Sequence, residues 1–282
     1  MTPTVSAATG FLWGYGFREG LAEPITDRSL ASWLADETAW VWLHFPLSDQ
    51  RARSFIEGLE TAPAAARQLI LEVEPRIQIQ FADLWAFGVL PDHERDLEGA
   101  AVGLGRLQFA AGPRLLITAR RHALRVVDDV RRDCDRGLAV ASPTAVVVKL
   151  IERYVDVAEA RLQGVSGQLD HIEDHVLDTA AQLESVTLGP LRRAISRDHR
   201  EFLSLRSGLH RATVPREAHG VVLLIDSLPR LVQEAEDLER EAVSLQERAK
   251  LLHEEIDSRI TSATNRSMRA LTIISTCLLY TS

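Results

Sequence analysis

"LPRLVQEAEDLEREAVSLQERAKLLHEEI", residues 228–256, decides how this chain is built. Counting from Leu224, the apolar positions Leu228, Leu231, Ala235, Leu238, Ala242, Leu245, Ala249, Leu252 and Ile256 follow at steps that alternate between four and three. A 3.5-residue period held this long predicts a helix whose narrow stripe supercoils against other helices. Alternating Leu with Ala narrows the stripe and lets helices approach closely. Pro229 falls inside the pattern, so the helix either begins there or kinks there. Continued to Leu279, such a helix would run roughly 75 Å at ~1.5 Å per residue, which makes it a stalk. The plainer reading of a stalk is a dimerising coiled coil with a solvated acidic outer face.

Working back from the stalk, the character of the chain changes at "ASP" (141–143). From Thr144 to Ile260 no segment reads as a strand. Apolar residues recur at helical spacing from Val147 to Leu177, then from about Leu191 to His210, and "ATVPREAHG" (212–220) is a polar break. Before residue 141 the pattern is mixed. "FLWGYGF" (11–17), "AWVWLHF" (39–45) and "RIQIQF" (76–81) read as strands. "LWAFGVL" (84–90) reads as a strand bounded by Pro91, and "AVGLGRLQF" with "RLLITA" as a hairpin around "AAGP". Helices are predicted at "SDQRARSFIEGLE", capped by Ser48 or Asp49, at "PAAARQLILE", and at "HALRVVDDVRRDCDRG", stopped by Gly137. The fold class is therefore α+β. A layered α/β/α domain at 1–142 is followed by antiparallel helices at 143–215 and a very long stalk helix at 216–282.

The formal net charge of −8 argues against a nucleic-acid partner and suits a cation better. Cys134 and Cys277 stand far apart without metal-type spacing, which points to a reducing compartment and no disulfide framework. "MTPTVSAATG" lacks the features of a secretory signal, and no stretch reaches the ~20 apolar residues that span a bilayer. No Gly-x-Ser-x-Gly, phosphate-binding glycine loop or usefully spaced Cys–His pair marks an enzyme. No cofactor is required.

At the far end of the stalk, "ATNRSMRALTIIST" (263–276) places a polar residue, then Met, then Leu-Thr at the opening of an apolar run. This resembles the start of the first membrane helix of the CorA family of divalent-cation transporters. The order of parts is similar over nearly the whole chain. "AWVWLHFPLSD" and "EPRIQIQFADLWAF" (74–87) resemble the zinc-transporting ZntB branch. The resemblance implies a homopentamer whose long helices form an intracellular funnel for Zn²⁺, or for Mg²⁺, as transported or regulatory cation. It also implies an inner (plasma) membrane location, with this portion cytoplasmic. The family's Gly-Met-Asn motif and second membrane helix are absent, so the chain is expected to be a cytoplasmic portion cut within the first membrane helix. Two alternatives stand beside this reading: a magnesium or cobalt channel domain, and a soluble coiled-coil scaffold with an α/β head.

On a helix, Asn265, Met268, Thr272 and Ser275 share one face, with Leu271 beside them. Periodicity alone is satisfied by helix–helix packing. Around a five-fold axis, as the resemblance implies, this face would line a pore. Asn265 amides would hydrate a cation, and Met268 and Leu271 would form an apolar constriction. Arg266 and Arg269 fit the basic cytoplasmic flank of a membrane helix, or ordinary surface charge. In "DHIEDHVLD" (170–178), His171 and His175 lie four apart with Asp174 between them. Imidazoles at this spacing can share Zn²⁺ with a carboxylate, although most such pairs bind no metal. Glu234, Glu236, Asp237, Glu239 and Glu241 form an acidic run partly offset by Arg230, Arg240, Arg248 and Lys250.

Overall fold

The computed structural model describes residues 9–95, 101–176, 181–213 and 221–281. The chain forms two compact units, one of residues 1–157 with 202–236 and one of 158–201 with 237–282.

The first unit is built on seven strands and four short helices. In chain order these are β1 (Trp13–Arg18), β2 (Leu21–Pro24), α1 (Asp27–Ala35), β3 (Trp40–Pro46), α2 (Gln50–Glu57), α3 (Ala64–Leu71), β4 (Gln78–Ala82), β5 (Trp85–Arg95), β6 (Ala101–Ala111), β7 (Leu115–Arg120) and α4 (Arg125–Asp135). The strands form one sheet in the order β2-β1-β3-β7-β6-β5-β4. β3 and β7 pair in parallel and the other neighbours antiparallel.

Alternation along the strands assigns the two faces. Leu43, Phe45, Ile117 and Val89 pack with Leu30 of α1, Ile56 of α2 and Ile70 of α3. Gly16 lets α1 lie directly on β1, since a Cβ there would come within 2.4 Å of the Trp33 ring. On the opposite face, Leu90 and Leu107 meet Val126 of α4 and the buried Leu150, Ile151 and Tyr154. This is the layered α/β/α arrangement that the strand and helix patterns predict.

Two predicted boundaries are corrected. β5 does not stop at Pro91 but runs on to Arg95. β4 ends opposite Val89, so at Pro91 the strand has outlived that neighbour and the missing N–H breaks no β4 ladder bond. The helix predicted from about Leu191 is α6 (Ala181–Ala212), which begins ten residues earlier and carries Pro190 in its interior. Leu188, Leu191 and Ile195 around the proline are buried, and this packing sustains the helix where propensity alone would end it. β2 and α1 are additions that the sequence reading did not make. α1 opens on a reciprocal cap in which Ser29 Oγ accepts from the Thr26 N–H at 2.9 Å.

Asp92 ties the sheet to α4. It is fully buried, and its carboxylate accepts from the backbone N–H of Val126 at 2.8 Å, of Val127 at 3.2 Å and of His93 at 2.6 Å. The bonds from Val126 and Val127 satisfy open N-terminal donors of α4. Burial outweighs them and pushes the Asp92 carboxyl up to about 7.

α5 (Pro143–Val176), α6 and α7 (Val222–Thr281) each run through both units. α7 is one helix of 60 residues that begins before Pro229 and passes through it. Its seam, from Leu224 to Ile256, is buried within the single chain. In the first unit Arg230 donates to Glu152 of α5 at 2.5 Å, and Arg206 of α6 faces Glu236 at 4.0 Å. In the second, Gln246 Nε2 donates to Ser196 Oγ of α6 at 3.1 Å, and Arg248 Nε donates to Glu173 of α5 at 2.7 Å. The heptad stripe is thus covered by the chain's own helices, and no second chain is needed to bury it. Asp198 of α6, also buried, pairs with Arg161 of α5 at 2.9 Å.

Candidate functional site

Beyond Ile256 the surroundings of α7 change. Residues 261–277 are all exposed, with Met268 at 61% and Leu271 at 63% of their full accessible surface. Asn265, Met268 and Thr272 line one shallow groove along the helix, joined by Arg269 and Ile273. Ser275 follows three residues on, while Leu271 lies outside the groove. Arg269 therefore borders the Asn–Met strip, and Arg266 stands exposed apart from it.

The hydroxyls in this stretch turn inward on their own helix. Thr264 Oγ1 donates to the Ile260 carbonyl at 2.9 Å, Thr272 to Met268 at 2.9 Å and Thr276 to Thr272 at 2.8 Å. Each threonine then shows only its methyl group and the lone pairs of its oxygen. Such a surface suits apolar surroundings, because its polar hydrogens are already satisfied. Among the described residues no helix is long and apolar enough to cross a membrane.

The end of α5 carries the histidine motif. His171 and Asp174 are exposed, and the side chain of His175 lies outside the described residues. The neighbouring carboxylates of Asp170 and Glu173 are both held by the Arg248 guanidinium, which raises its already high pKa. Among the described residues, no three His, Cys, Asp or Glu side chains are grouped so as to hold a metal ion. The acidic run at the top of α7 is partly neutralised: Glu234 pairs with Arg230 at 2.6 Å, Asp237 with Arg240, and Glu236 with Arg206.

A buried polar strip on the α4 side of the sheet has no counterpart in the sequence reading. Trp42 Nε1 donates to Thr118 Oγ1 at 2.9 Å, and His44 Nδ1 shares that oxygen at 2.8 Å. Trp13 stacks on His44 with ring centroids 4.5 Å apart. Burial, then the nearby Arg120 and Arg131, holds the imidazole neutral, well below its usual range. The signal was the alternation in "AWVWLHF", which puts Trp40, Trp42 and His44 on one face.

The family described as CorA-like Mg²⁺ transporter protein matches residues 37–280, most of the chain. The chain belongs to the CorA family. No curated protein matches it. Among solved structures, the full-length CmaX protein superposes on this CorA-family chain with a TM-score of 0.83 at 21% identity, covering 95% of this chain and 83% of that one. The cytoplasmic domain of ZntB from Vibrio parahaemolyticus gives 0.74 at 14% identity, covering 90% and 99%. The complete CorA magnesium transporter of Methanocaldococcus jannaschii gives 0.75 at 10% identity, covering 93% and 82%. At these identities the likeness is one of fold: the CorA-family chain is built like the cytoplasmic domain of ZntB.

Proposed function

We propose that this CorA-family chain is the cytoplasmic part of a divalent-cation transporter, that it works as a homopentamer at the inner (plasma) membrane, and that Zn²⁺ is its cargo. One observation carries the reading: α7 is sheathed by its own chain down to Ile256, stands bare from residue 261 and turns apolar at Leu271. Five such ends around an axis would turn the Asn265, Met268, Thr272 and Ser275 strip inward. Asn265 would offer amide oxygens to a hydrated cation, and Met268 with Leu271 would close the path by dewetting. Thr272 has given its hydrogen to the Met268 carbonyl and would present an acceptor, which favours cations over anions. Arg266, apart from the strip, would lie against anionic headgroups at the cytoplasmic surface, and Arg269 would stand at the edge of the strip.

The fold likeness is shared between the ZntB domain and the CorA magnesium transporter, so the choice of zinc rests on the imidazoles of His171 and His175, which suit Zn²⁺ and not Mg²⁺. Sedimentation at several protein concentrations tests the assembly. A pentamer is expected, and a stable dimer at every concentration would count against the funnel. Calorimetric titration tests the metal. Zn²⁺ should bind the chain, and binding should weaken when His171 and His175 are both changed to Ala; unchanged binding in that variant removes the site.

A further inference from the structure

The helices on the α1–α3 side of the first unit do not close over the sheet. Between the end of α1, α2 and the segment 58–63, a cavity of about 920 Å³ opens onto the strands. That size lies within the ~300–1,000 Å³ usual for small-molecule sites. Its apolar walls are Leu34, Leu43, Phe55, Leu59, Trp85 and Leu115. Leu43, Leu59, Trp85 and Leu115 belong to the buried core, so the floor is as rigid as the sheet. The walls are also held in place by specific contacts. Trp85 lies on Gly112, where a Cβ would come within 2.5 Å of the ring, and Arg67 Nη1 donates to the Leu59 carbonyl at 2.8 Å.

One charge in these walls lacks a counter-ion. Arg114, in the β6–β7 turn, is half-buried and donates from Nη2 to the Leu34 carbonyl. Among the described residues no carboxylate pairs with it. The other cation at the cavity, Arg51, is already tied to Asp49 at 2.6 Å, and Glu60 and Asp83 are exposed at the rim. A guanidinium carries five N–H donors in a fixed fork that accepts a carboxylate through two parallel bonds. Partly removed from water and unpaired, it favours any anion that can reach it. An apolar chamber with one guanidinium that has no counter-ion and keeps donors beyond its bond to Leu34 is the complement of a carboxylate on an apolar body.

We propose that this cavity binds an amphipathic carboxylate, with its apolar body against Phe55 and Trp85 and its carboxylate on Arg114. The site uses no residue of α7 and stands independently of the transport reading.

The test is titration of the purified chain with sodium decanoate below its micellar range, read by calorimetry and by Trp fluorescence. 1-Decanol and decyltrimethylammonium serve as controls. Decanoate should bind in preference to both. Arg114→Gln keeps a donor for the Leu34 carbonyl and should weaken decanoate at least tenfold. Ser54→Trp, at an exposed position of α2 on the cavity edge, should block it without lowering the melting temperature. No decanoate binding would overturn the proposal. So would equal binding of decanol, which would mean an apolar hole without an anion anchor. Unchanged binding in Ser54→Trp would place decanoate elsewhere, for instance on the bare end of α7, and would overturn it too.

Discussion

Within α7, residues 224–256 and residues 261–277 share one continuous backbone and meet opposite surroundings. In the upper stretch the apolar residues keep to a single stripe at steps of four and three, and that stripe is buried by α5 and α6 of the same chain. In the lower stretch Met268, Leu271, Ile273 and Ile274 point around the helix, and all four are exposed. The difference lies in the distribution of apolar residues more than in their number. A stripe can be answered by two neighbouring helices, whereas a helix apolar on every side needs apolar surroundings on every side.

That contrast can be broken by paired substitutions. Leu238→Ala in the seam should cost about 3 kcal/mol, as expected for a cavity in a closed core. Leu271→Ala should stay within about 0.5 kcal/mol. Urea unfolding of both variants checks the pair, and equal costs would mean that the two stretches are not different environments. Asp92 asks whether burial acts the same way on a charge. Its carboxyl is raised from 3.8 to about 7, so the folded protein holds this proton more tightly than the unfolded chain. The resulting stability is fully present below about pH 3.8 and is lost as pH rises through 7. His44, held neutral, acts with the opposite sign in this window. The Asp92 contribution therefore appears as the difference between wild type and Asp92→Asn. Wild type should lose stability relative to the variant between pH 4 and 7, measured by urea midpoints; parallel profiles would show that burial does not shift this group. A finer test is Ala242→Leu, which should cost about 2 kcal/mol by overpacking the narrow side of the seam. Ala270→Leu in the bare stretch should be nearly silent.

The parts of the fold legible in the sequence are those that a local period announces. The strand from Trp40 to Pro46, the hairpin of β6 and β7, and the α7 seam all carry repeats of two or of 3.5. β2 and α1 are short and partly exposed, and no run of apolar residues marks them. Pro91 misled because a proline reads as a strand stop unless the place where the neighbouring strand ends is known. The seam's partners were not legible either. A 3.5 period states that a helix is covered, but not whether its own chain or another covers it. The strip at 265–275 was picked out through family resemblance, since its period is equally that of packing. The cavity beside Arg114 had no signature at all. It exists because α1, α2 and the β6–β7 turn, up to 80 residues apart in sequence, fail to meet over the sheet.

The carboxylate of Asp92 has a consequence in time. α4 has only 11 residues, shorter than the ~12–15 that hold a helix in isolation, and its first N–H groups are satisfied by a side chain 34 residues upstream. The helix therefore has no capped existence before β5 is laid down. The sheet in turn holds a parallel pairing of β3 with β7 across more than 70 residues of chain, and long-range pairing of this kind is intrinsically slow. The cap of α4 can form only where β5 is already at hand, which makes the helix a latch on the sheet.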